Sequence, residues 1–197
     1  MKRYVVGLTG ASGIIYGITL IRELLALGVE VNVISSRVAK LVLEQEQGLK
    51  PGENAAEALA SLQSLHSNLV VYENTDIAAP LASGSYITEA MIIMPCTMAT
   101  LSSLAHGSAS SLMERTADVM LKENRPLVVV PRETPLNKIH IRNMLILAEA
   151  GAHIVPAMPA FYHNPGDIQD LVHFMVGKVM DVLRLPHQLF ARYGDPQ

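Results

Sequence analysis

The sequence predicts a single α/β domain in which a doubly wound parallel β-sheet lies between two layers of helices. Short runs rich in β-branched residues alternate with longer stretches of helical periodicity, which is typical of α/β proteins. Nearly all of the strand-length runs are apolar on both faces, as expected for parallel strands covered on each side. No linker rich in Pro, Gly or Ser divides the 197 residues into halves. We therefore expect one domain over residues 1–197.

The elements follow in order along the chain. A strand at residues 4–8 leads into a helix at 14–27, because apolar residues form one stripe from Ile14 to Leu25 and Gly28 ends it. Apolar runs predict further strands at 31–35, 69–72, 91–94, 127–130 and 153–155. Helical periodicity predicts further helices at 38–45, 55–65, 112–123, 137–150 and 168–185. Residues 73–86 are expected to form a long loop, which in a compact domain is more often functional than not.

Composition and charge argue against several classes of protein. Half of the residues are hydrophobic and 17% are charged, so a well-packed core is expected rather than disorder. Fifteen Lys and Arg against eighteen Asp and Glu give a net charge of −3, which does not favour nucleic acid or anionic lipid as a partner. The longest apolar runs have strand length and fall short of the roughly 20 residues that span a bilayer. We expect a soluble protein with neither a nucleic-acid nor a membrane partner.

Further features of the sequence bear on its compartment and on metals. The start of the chain enters a glycine turn without the apolar region of a signal peptide, so no export is expected. A single cysteine, Cys96, excludes an internal disulfide, and ten Met with no Trp suit a reducing compartment. A cytoplasmic protein is expected. The seven His show no clustered ligand spacing, so a metal site has little support.

The first strand runs directly into a glycine-rich turn, T-G-A-S-G at residues 9–13, and then into a helix. Such a turn presents free backbone N–H groups and the positive end of a helix dipole, which together favour a phosphate. The turn has neither the Walker A pattern nor G-x-G-x-x-G. The alternative is a tight strand-to-helix turn that binds nothing. Ligand binding is favoured, because open α/β sheets bind ligands at the carboxyl ends of their strands.

Two more strand ends carry polar residues. The second strand ends at Ser36 and Arg37, which would reach the same ligand, although capping of the next helix by Ser36 is an equally good interpretation. The fourth strand ends at P-C-T-M-A-T, residues 95–100, just before a Ser-rich helix start, and Thr97 and Thr100 offer hydroxyl groups. Cys96 is expected to be a small buried hydrophobic residue rather than a nucleophile.

The fifth strand ends in a charged pair, Arg132 and Glu133. At this position the pair favours an anion site with a carboxylate placed to move a proton, whereas the alternative is a surface ion pair. P-A-F-Y-H at residues 159–163 follows the last short strand, and Lys178 lies on the final helix. If these residues bind no ligand, the aromatic side chains only pack within the protein and Lys178 is a solvated side chain.

Six segments together resemble the flavin prenyltransferase family, also called the UbiX family and formerly labelled aromatic acid decarboxylase subunit. The resemblance covers nearly the whole chain. Its segments are T-G-A-S-G at 9–13, A-S-G-S at 82–85, M-P-C-T-M-A-T at 94–100, E-R-T-A-D-V-M-L-K-E at 114–123, P-L-V-V-V-P-R-E-T-P-L at 126–136 and P-A-F-Y-H at 159–163.

The resemblance implies a Rossmann-like, flavodoxin-type fold that binds FMN. It implies transfer of a dimethylallyl group from dimethylallyl monophosphate to reduced FMN, without a metal, and delivery of the prenylated FMN to a decarboxylase of the UbiD type. By the same resemblance FMN is held by Gly10, Ala11, Ser12, Ser36, Thr97, Met98, Ala99, Thr100 and Arg132. The donor is held by Tyr162 and Lys178, with Lys122, Arg115 and Ser85 as further candidates. The catalytic candidates are Glu133, Ser12 and Glu46.

The proposed reaction agrees with the chemistry of these residue types. Cationic side chains collect the charge of a departing phosphate, and aromatic rings stabilise an allyl cation. Glu133 is expected to be a buried carboxylate beside Arg132 that takes a proton. The chain departs from the family at two positions, with Lys178 where the family often has Arg and Tyr193 where it often has Trp.

The C-terminal stretch predicts assembly. Apolar residues between Leu183 and Tyr193, with few charges, are expected to form an exposed patch, so residues 185–197 are predicted to be an interface segment. The resemblance implies a homo-oligomer, typically a dodecamer, in which Tyr193 closes a neighbour's site. The alternative is that this tail packs on its own subunit.

Three other functions stay open at this point. They are a cysteine decarboxylase with the same fold and FMN, a stand-alone aromatic acid decarboxylase, and a carrier that only delivers FMN. The cysteine decarboxylases have P-A-S-A-N-T where this chain has P-C-T-M-A-T at 95–100, which makes them the less favoured reading.

Overall fold

The computed structural model describes residues 1–46, 66–192 and 194. In this part of the chain six strands form one sheet: β1 Arg3–Leu8, β2 Glu30–Ser35, β3 Leu69–Glu73, β4 Ala90–Cys96, β5 Leu127–Pro131 and β6 His153–Ile154. All of the strand pairs are parallel, and the order is β3-β2-β1-β4-β5-β6. This is the Rossmann order, which reverses direction between β1 and β4, so the doubly wound prediction is confirmed.

The described helices are α1 Ile14–Ala26, α2 Arg37–Glu46, α3 Met98–Ala105, α4 Leu112–Lys122, α5 Lys138–Glu149 and α6 Ile168–Val182. Side chains alternate across the sheet, so that Val6 and Ile92 face one layer and Val5 and Ile93 face the other. The first layer contains α1, α2 and α6, and the second contains α3, α4 and α5. The result is the expected three-layer sandwich, with two apolar cores on either side of the sheet. No described helix is long and apolar enough to cross a membrane.

Helix ends follow local chemistry. Thr97, Ser111, Asn137 and Asp167 each cap a helix with a side-chain oxygen. The last helix stops at Val182, three residues before the predicted end, because Arg184 takes a left-handed conformation with φ 56°. The backbone N–H of Leu185 then donates to Met180 O at 2.9 Å, which closes the helix as a Schellman-type turn.

The six predicted strands are confirmed to within two residues at each end. Five of the predicted helices are confirmed to the same precision, except that one of them, α6, ends three residues earlier than predicted. The helix predicted at 55–65 lies outside the described residues. The helix start predicted after residue 100 begins at Met98. The predicted loop at 73–86 contains one short 3-10 turn, Pro80–Ala82.

Candidate active site

The strand order places four loops at one crevice. The turn after β1, the residues after β2 and the loops after β4 and β5 all leave the sheet at its carboxyl edge, on both sides of the point where the order reverses. Open α/β sheets bind ligands at this point. Residues 9–13, Ser36, Thr97 and Arg132 are therefore brought to one edge by topology alone.

A buried threonine joins the two central loops. The hydroxyl of Thr9 donates to the carbonyl of Pro95 at 2.7 Å and accepts from the backbone N–H of Thr97 at 2.9 Å. Thr9 is 2% exposed, so its hydroxyl satisfies two backbone groups that water does not reach. Thr9 begins the T-G-A-S-G segment but is not among the residues predicted from the sequence to be functional.

The carboxylate of Glu46 meets the N-terminus of α1. Gly13 begins this helix with φ 92° and no side-chain cap. Instead, both carboxylate oxygens of Glu46 accept from Gly13 N at 3.0 Å, and one of them accepts from Ile14 N at 3.0 Å. A negative charge is favourable there, because the dipole places positive charge at the start of a helix. Glu46 thus lies at the glycine turn, in the place that an anion of a ligand would otherwise take.

The rest of the turn keeps hydrogen-bonding capacity. Among the residues that the structure describes, no acceptor meets the backbone N–H groups of Ala11 and Ser12. The carbonyl of Ser12 accepts from Arg132 Nε at 3.0 Å, so the loop after β5 braces the turn. Two free donors beside a guanidinium suit the acceptor atoms of a flavin or its phosphate, so the residues present fit FMN.

Glu133 lies beside this bridge but is not buried. Arg132 is half-buried, whereas Glu133 is exposed, and its Oε1 accepts from the backbone N–H of Thr134 at 3.0 Å. The expectation of a buried carboxylate is therefore wrong for a single copy of the chain. The reason is local: the chain leaves the sheet after Pro131, and no described element covers Glu133.

The loop after β4 has hydroxyl groups at the same edge. Thr97 Oγ1 accepts from Thr100 N at 3.2 Å and donates to Thr100 Oγ1 at 3.0 Å, capping α3. Met98 is buried under this cap and Ala99 is exposed. Cys96 is fully buried, and burial raises the pKa of its thiol, which confirms the prediction of a small buried hydrophobic residue.

Ser36 caps the helix after β2. Its hydroxyl accepts from Ala39 N at 3.1 Å, which is the capping interpretation of this residue. Ser36 N also donates to Leu8 O at 3.0 Å, which places Ser36 at the carboxyl edge of the sheet, next to the turn that starts at residue 9. Ser36 therefore lies beside the crevice as well as capping α2.

A second group of site candidates lies after β6. The backbone N–H of Ala157 donates to Pro131 O at 3.0 Å, which brings this segment alongside Arg132. Tyr162 is 54% exposed, and its ring contacts Phe174 of α6 edge-on at 5.8 Å. Lys178 follows Phe174 by one turn, is half exposed, and has its Nζ 4.0 Å from Asp181 Oδ2.

The structure does not bring Ser85 and Lys122 to this crevice within one chain. Lys122 ends α4 just before β5 begins, and Ser85 precedes β4, in a loop whose Gly84 and Tyr86 carbonyls accept from Arg125 at 2.6 and 3.2 Å. Both therefore lie at the amino edge of the sheet. The seven residues of β4 separate the two edges by about 20 Å at ~3.3 Å per residue.

Arg115 lies in the first turn of α4. That helix starts where Leu112 N donates to Asn74 O at 2.9 Å, at the carboxyl end of the outer strand β3. Its side chain is exposed. Tyr193 is outside the described residues, and no described group of three or more His, Cys, Asp or Glu side chains is arranged to hold a metal.

Comparison with known proteins agrees with this geometry. The family model described as Flavoprotein matches residues 1–180. A flavin prenyltransferase UbiX of Alkalihalophilus pseudofirmus is 47% identical over 194 residues, which is 98% of this chain and 97% of the relative. The chain belongs to the UbiX flavin prenyltransferase family.

Solved structures of the family superpose closely. The crystal structure of AnUbiX in complex with FMN and dimethylallyl pyrophosphate matches with a TM-score of 0.90 and 40% identity, over 100% of this chain and 99% of that one. A dodecameric FMN-dependent UbiX-like decarboxylase from Escherichia coli matches with a TM-score of 0.87 and 38% identity, over 98% of this chain and 100% of that one. The FMN-dependent cysteine decarboxylase SpaF is 18% identical, which shows the fold alone.

Proposed function

We propose that the chain transfers a dimethylallyl group from dimethylallyl monophosphate to reduced FMN, and that the prenylated FMN serves a decarboxylase of the UbiD type. The observation that carries the proposal is the convergence of the loops after β1, β4 and β5 at the carboxyl edge of the sheet, in a chain of the UbiX family. There Arg132 and Glu46 both contact the turn at residues 9–13. When bound, reduced FMN supplies the nucleophilic carbon that accepts the allyl group.

FMN binding is assigned to residues around this turn. The backbone of Gly10 and the N–H groups of Ala11 and Ser12 would hold acceptor atoms of the cofactor. These two N–H groups meet no acceptor in the part of the chain that the structure describes. Glycine at position 10 lets α2 lie close, because a Cβ there would lie 2.2 Å from Val38 Cγ1 and would displace that side chain. The remaining members of the proposed FMN site are Ser36, Thr97, Met98, Ala99, Thr100 and Arg132, all on loops or a helix start at the same edge.

Donor binding is assigned to Arg132, Tyr162 and Lys178. An allylic phosphate leaves as an anion, so a guanidinium and an ammonium group lower the energy of its departure. The Tyr162 ring offers a flat face to the allyl cation. Glu133 is proposed to accept the proton that the flavin carbon releases, with Ser12 and Glu46 as further proton-handling candidates at the turn.

We further propose that the site is completed by a neighbouring copy in a homo-oligomer, of the dodecameric kind recorded for the E. coli structure. Ser85 and Lys122 lie at the edge opposite the crevice, so they reach a donor site only across an interface. Large apolar side chains are exposed on α5, on the segment after β6 and at the first residue of α6, which is typical of an interface. They are Ile139, Ile141, Leu145, Met158, Phe161 and Ile168, each at least 55% exposed.

The C-terminal segment contributes less to this interface than the sequence predicts. Leu185, Leu189 and Phe190 are partly buried and pack on the core of their own chain. The cause is Asp181, whose carboxylate binds His187 at 3.0 Å and Arg192 at 2.8 Å and so folds the segment back onto α6. The expected exposed patch is therefore wrong for the described part of residues 185–197.

The test is anaerobic incubation of the purified protein with reduced FMN and dimethylallyl monophosphate, followed by the mass and absorbance of the recovered flavin. The proposal expects flavin heavier by one dimethylallyl group. Dimethylallyl pyrophosphate, run in parallel, decides between the two donors. A phenolic acid supplied without a partner protein tests the decarboxylase alternative, and unmodified flavin released in every arm would leave only an FMN carrier.

A further inference from the structure

Tyr162, His163, Phe174, His187 and Phe190 form an aromatic cluster between the segment after β6, α6 and the C-terminal segment. Its two histidines differ in their hydrogen bonding. His187 is fully hydrogen-bonded. Its Nε2 lies 3.0 Å from Asp181 Oδ1, and its Nδ1 accepts from Leu189 N at 3.3 Å. Its side chain is 1% exposed, so burial and hydrogen bonding go together, as they do for most buried polar groups.

His163 has the burial without the hydrogen bonds. Both of its ring nitrogens are buried, and neither has a partner among the described residues. Its ring stacks on Phe174 with centroids 5.1 Å apart and planes within 6°. Every imidazole has at least one N–H donor, and a buried donor without an acceptor costs free energy.

Packing alone does not explain a histidine at this position. A phenylalanine would make the same stacked contact with Phe174 and would bury no unsatisfied donor. Residues that lower stability in this way are expected at functional sites. The nitrogens of His163 therefore suit a partner that the described residues do not supply.

The neighbours of His163 indicate what that partner is. Tyr162 contacts its ring edge-on at 5.8 Å and is the exposed member of the cluster. Phe174, by contrast, is 6% exposed and belongs to the core. Lys178 lies one turn further along α6 and is half exposed. The imidazole thus lies between the exposed Tyr162 ring and the core residue Phe174, so a ligand bound at Tyr162 would approach it from the side of Tyr162.

We propose that His163 is a further binding residue of the donor site, and that its imidazole N–H donates a hydrogen bond to a phosphate oxygen of the allylic donor. The proposal rests on the proposed function, since it takes the donor to be bound at Tyr162 and Lys178. It adds an imidazole N–H to the guanidinium of Arg132 and the ammonium of Lys178, which are already assigned to the phosphate. It also explains why an aromatic ring with nitrogen atoms is stacked on Phe174.

The experiment measures donor binding without turnover. Protein loaded with oxidised FMN is titrated with dimethylallyl monophosphate by calorimetry, and the melting temperature is recorded for each variant. His163→Phe is expected to weaken donor binding by at least about tenfold, because a hydrogen bond to a charged group is lost, and to leave FMN bound. Its melting temperature is expected to rise. His163→Asn keeps an N–H donor and is expected to recover part of the affinity.

His187→Phe is the matched control from the same cluster. It removes an imidazole whose nitrogens are already satisfied within the chain, so its melting temperature is expected to fall while donor affinity stays at the wild-type value. Wild-type donor affinity in His163→Phe would overturn the proposal. The titration of the wild type separates the two proposals. If the wild type neither binds dimethylallyl monophosphate nor transfers its dimethylallyl group, the proposed function itself is wrong.

Should His163→Phe fail to fold, a crystal structure of the wild type with FMN and dimethylallyl monophosphate decides. A ring nitrogen of His163 within hydrogen-bond distance of a phosphate oxygen supports the proposal. Ring nitrogens bonded instead to a neighbouring copy or to water would overturn it.

Discussion

The carboxylate of Glu46, at the end of α2, accepts hydrogen bonds from the backbone N–H of Gly13, 33 residues earlier, with both oxygens at 3.0 Å. The contact fixes the start of α1 and, with it, the glycine turn, in which the N–H groups of Ala11 and Ser12 meet no acceptor among the described residues. It also keeps negative charge at the helix N-terminus, so the proposed FMN phosphate has to use other donors at this edge.

Glu46→Gln is the first test of this arrangement. The amide keeps one acceptor oxygen but loses the charge that favours the helix N-terminus, worth about 0.3–1 kcal/mol at an exposed position. We expect the melting temperature to fall by about 1–4 °C and FMN to bind more weakly because the turn is less fixed. Glu149→Gln, at the exposed C-terminal end of α5, is the control: it should leave FMN affinity unchanged and should not lower the melting temperature, because a negative charge is unfavourable at that end of a helix. Unaltered FMN affinity in Glu46→Gln would mean that the turn holds its shape without the charge.

Lys178→Ala tests the donor side of the site. A single charge-assisted contact is worth about 1.5–3 kcal/mol, and the lower end applies because Lys178 is half exposed. We expect the KM for dimethylallyl monophosphate to rise by about tenfold while FMN affinity is unchanged. Arg22→Ala, an exposed cation on α1, controls for the loss of net charge. A KM equal to that of the wild type would remove Lys178 from the site.

A pH dependence follows from Asp181. Its hydrogen bonds with Arg192, and then with His187, hold the pKa of its carboxyl below the usual value. An acid whose pKa is lower in the folded state adds stability above its unfolded pKa, and this contribution is lost as the pH falls through the folded pKa. We expect Asp181→Asn to melt below the wild type at pH 6 and to converge with it as the pH falls below about 4. A constant difference across that range would show that the carboxylate charge is not what holds residues 185–192.

Much of the fold could be predicted because its signals are local. Strands that are apolar on both faces mark a parallel sheet, and Gly28 and the capping residues mark helix ends. The motif segments placed the turn at residues 9–13 and the strand ends at Thr97 and Arg132, and topology then brings these to one edge without further information. These loops meet because parallel strands share a carboxyl edge.

The remaining features depend on contacts that a single sequence does not encode locally. Thr9 and Pro95 are 86 residues apart, and a lone threonine gives no signal that it will bond there. Glu133 was expected to be buried but is exposed, because the buried part of this segment ends with β5 at Pro131. Ser85 and Lys122 were grouped with the crevice by resemblance, whereas position in the sheet sets them at the opposite edge. Leu185 and Phe190 pack on their own chain because Asp181 binds His187 and Arg192. The sequence gives no sign that Asp181 forms these contacts rather than facing solvent.

The proposed prenyl-transfer site combines the carboxyl edge of one copy with the amino edge of its neighbour. The most direct test prepares two inactive variants, Glu133→Gln and Lys122→Ala, refolds or co-expresses them as mixed oligomers, and measures prenylated flavin by mass. Random mixing of equal amounts leaves about a quarter of the sites with both intact residues, so about a quarter of the wild-type rate is expected. Mixed oligomers no more active than either variant alone would contradict it.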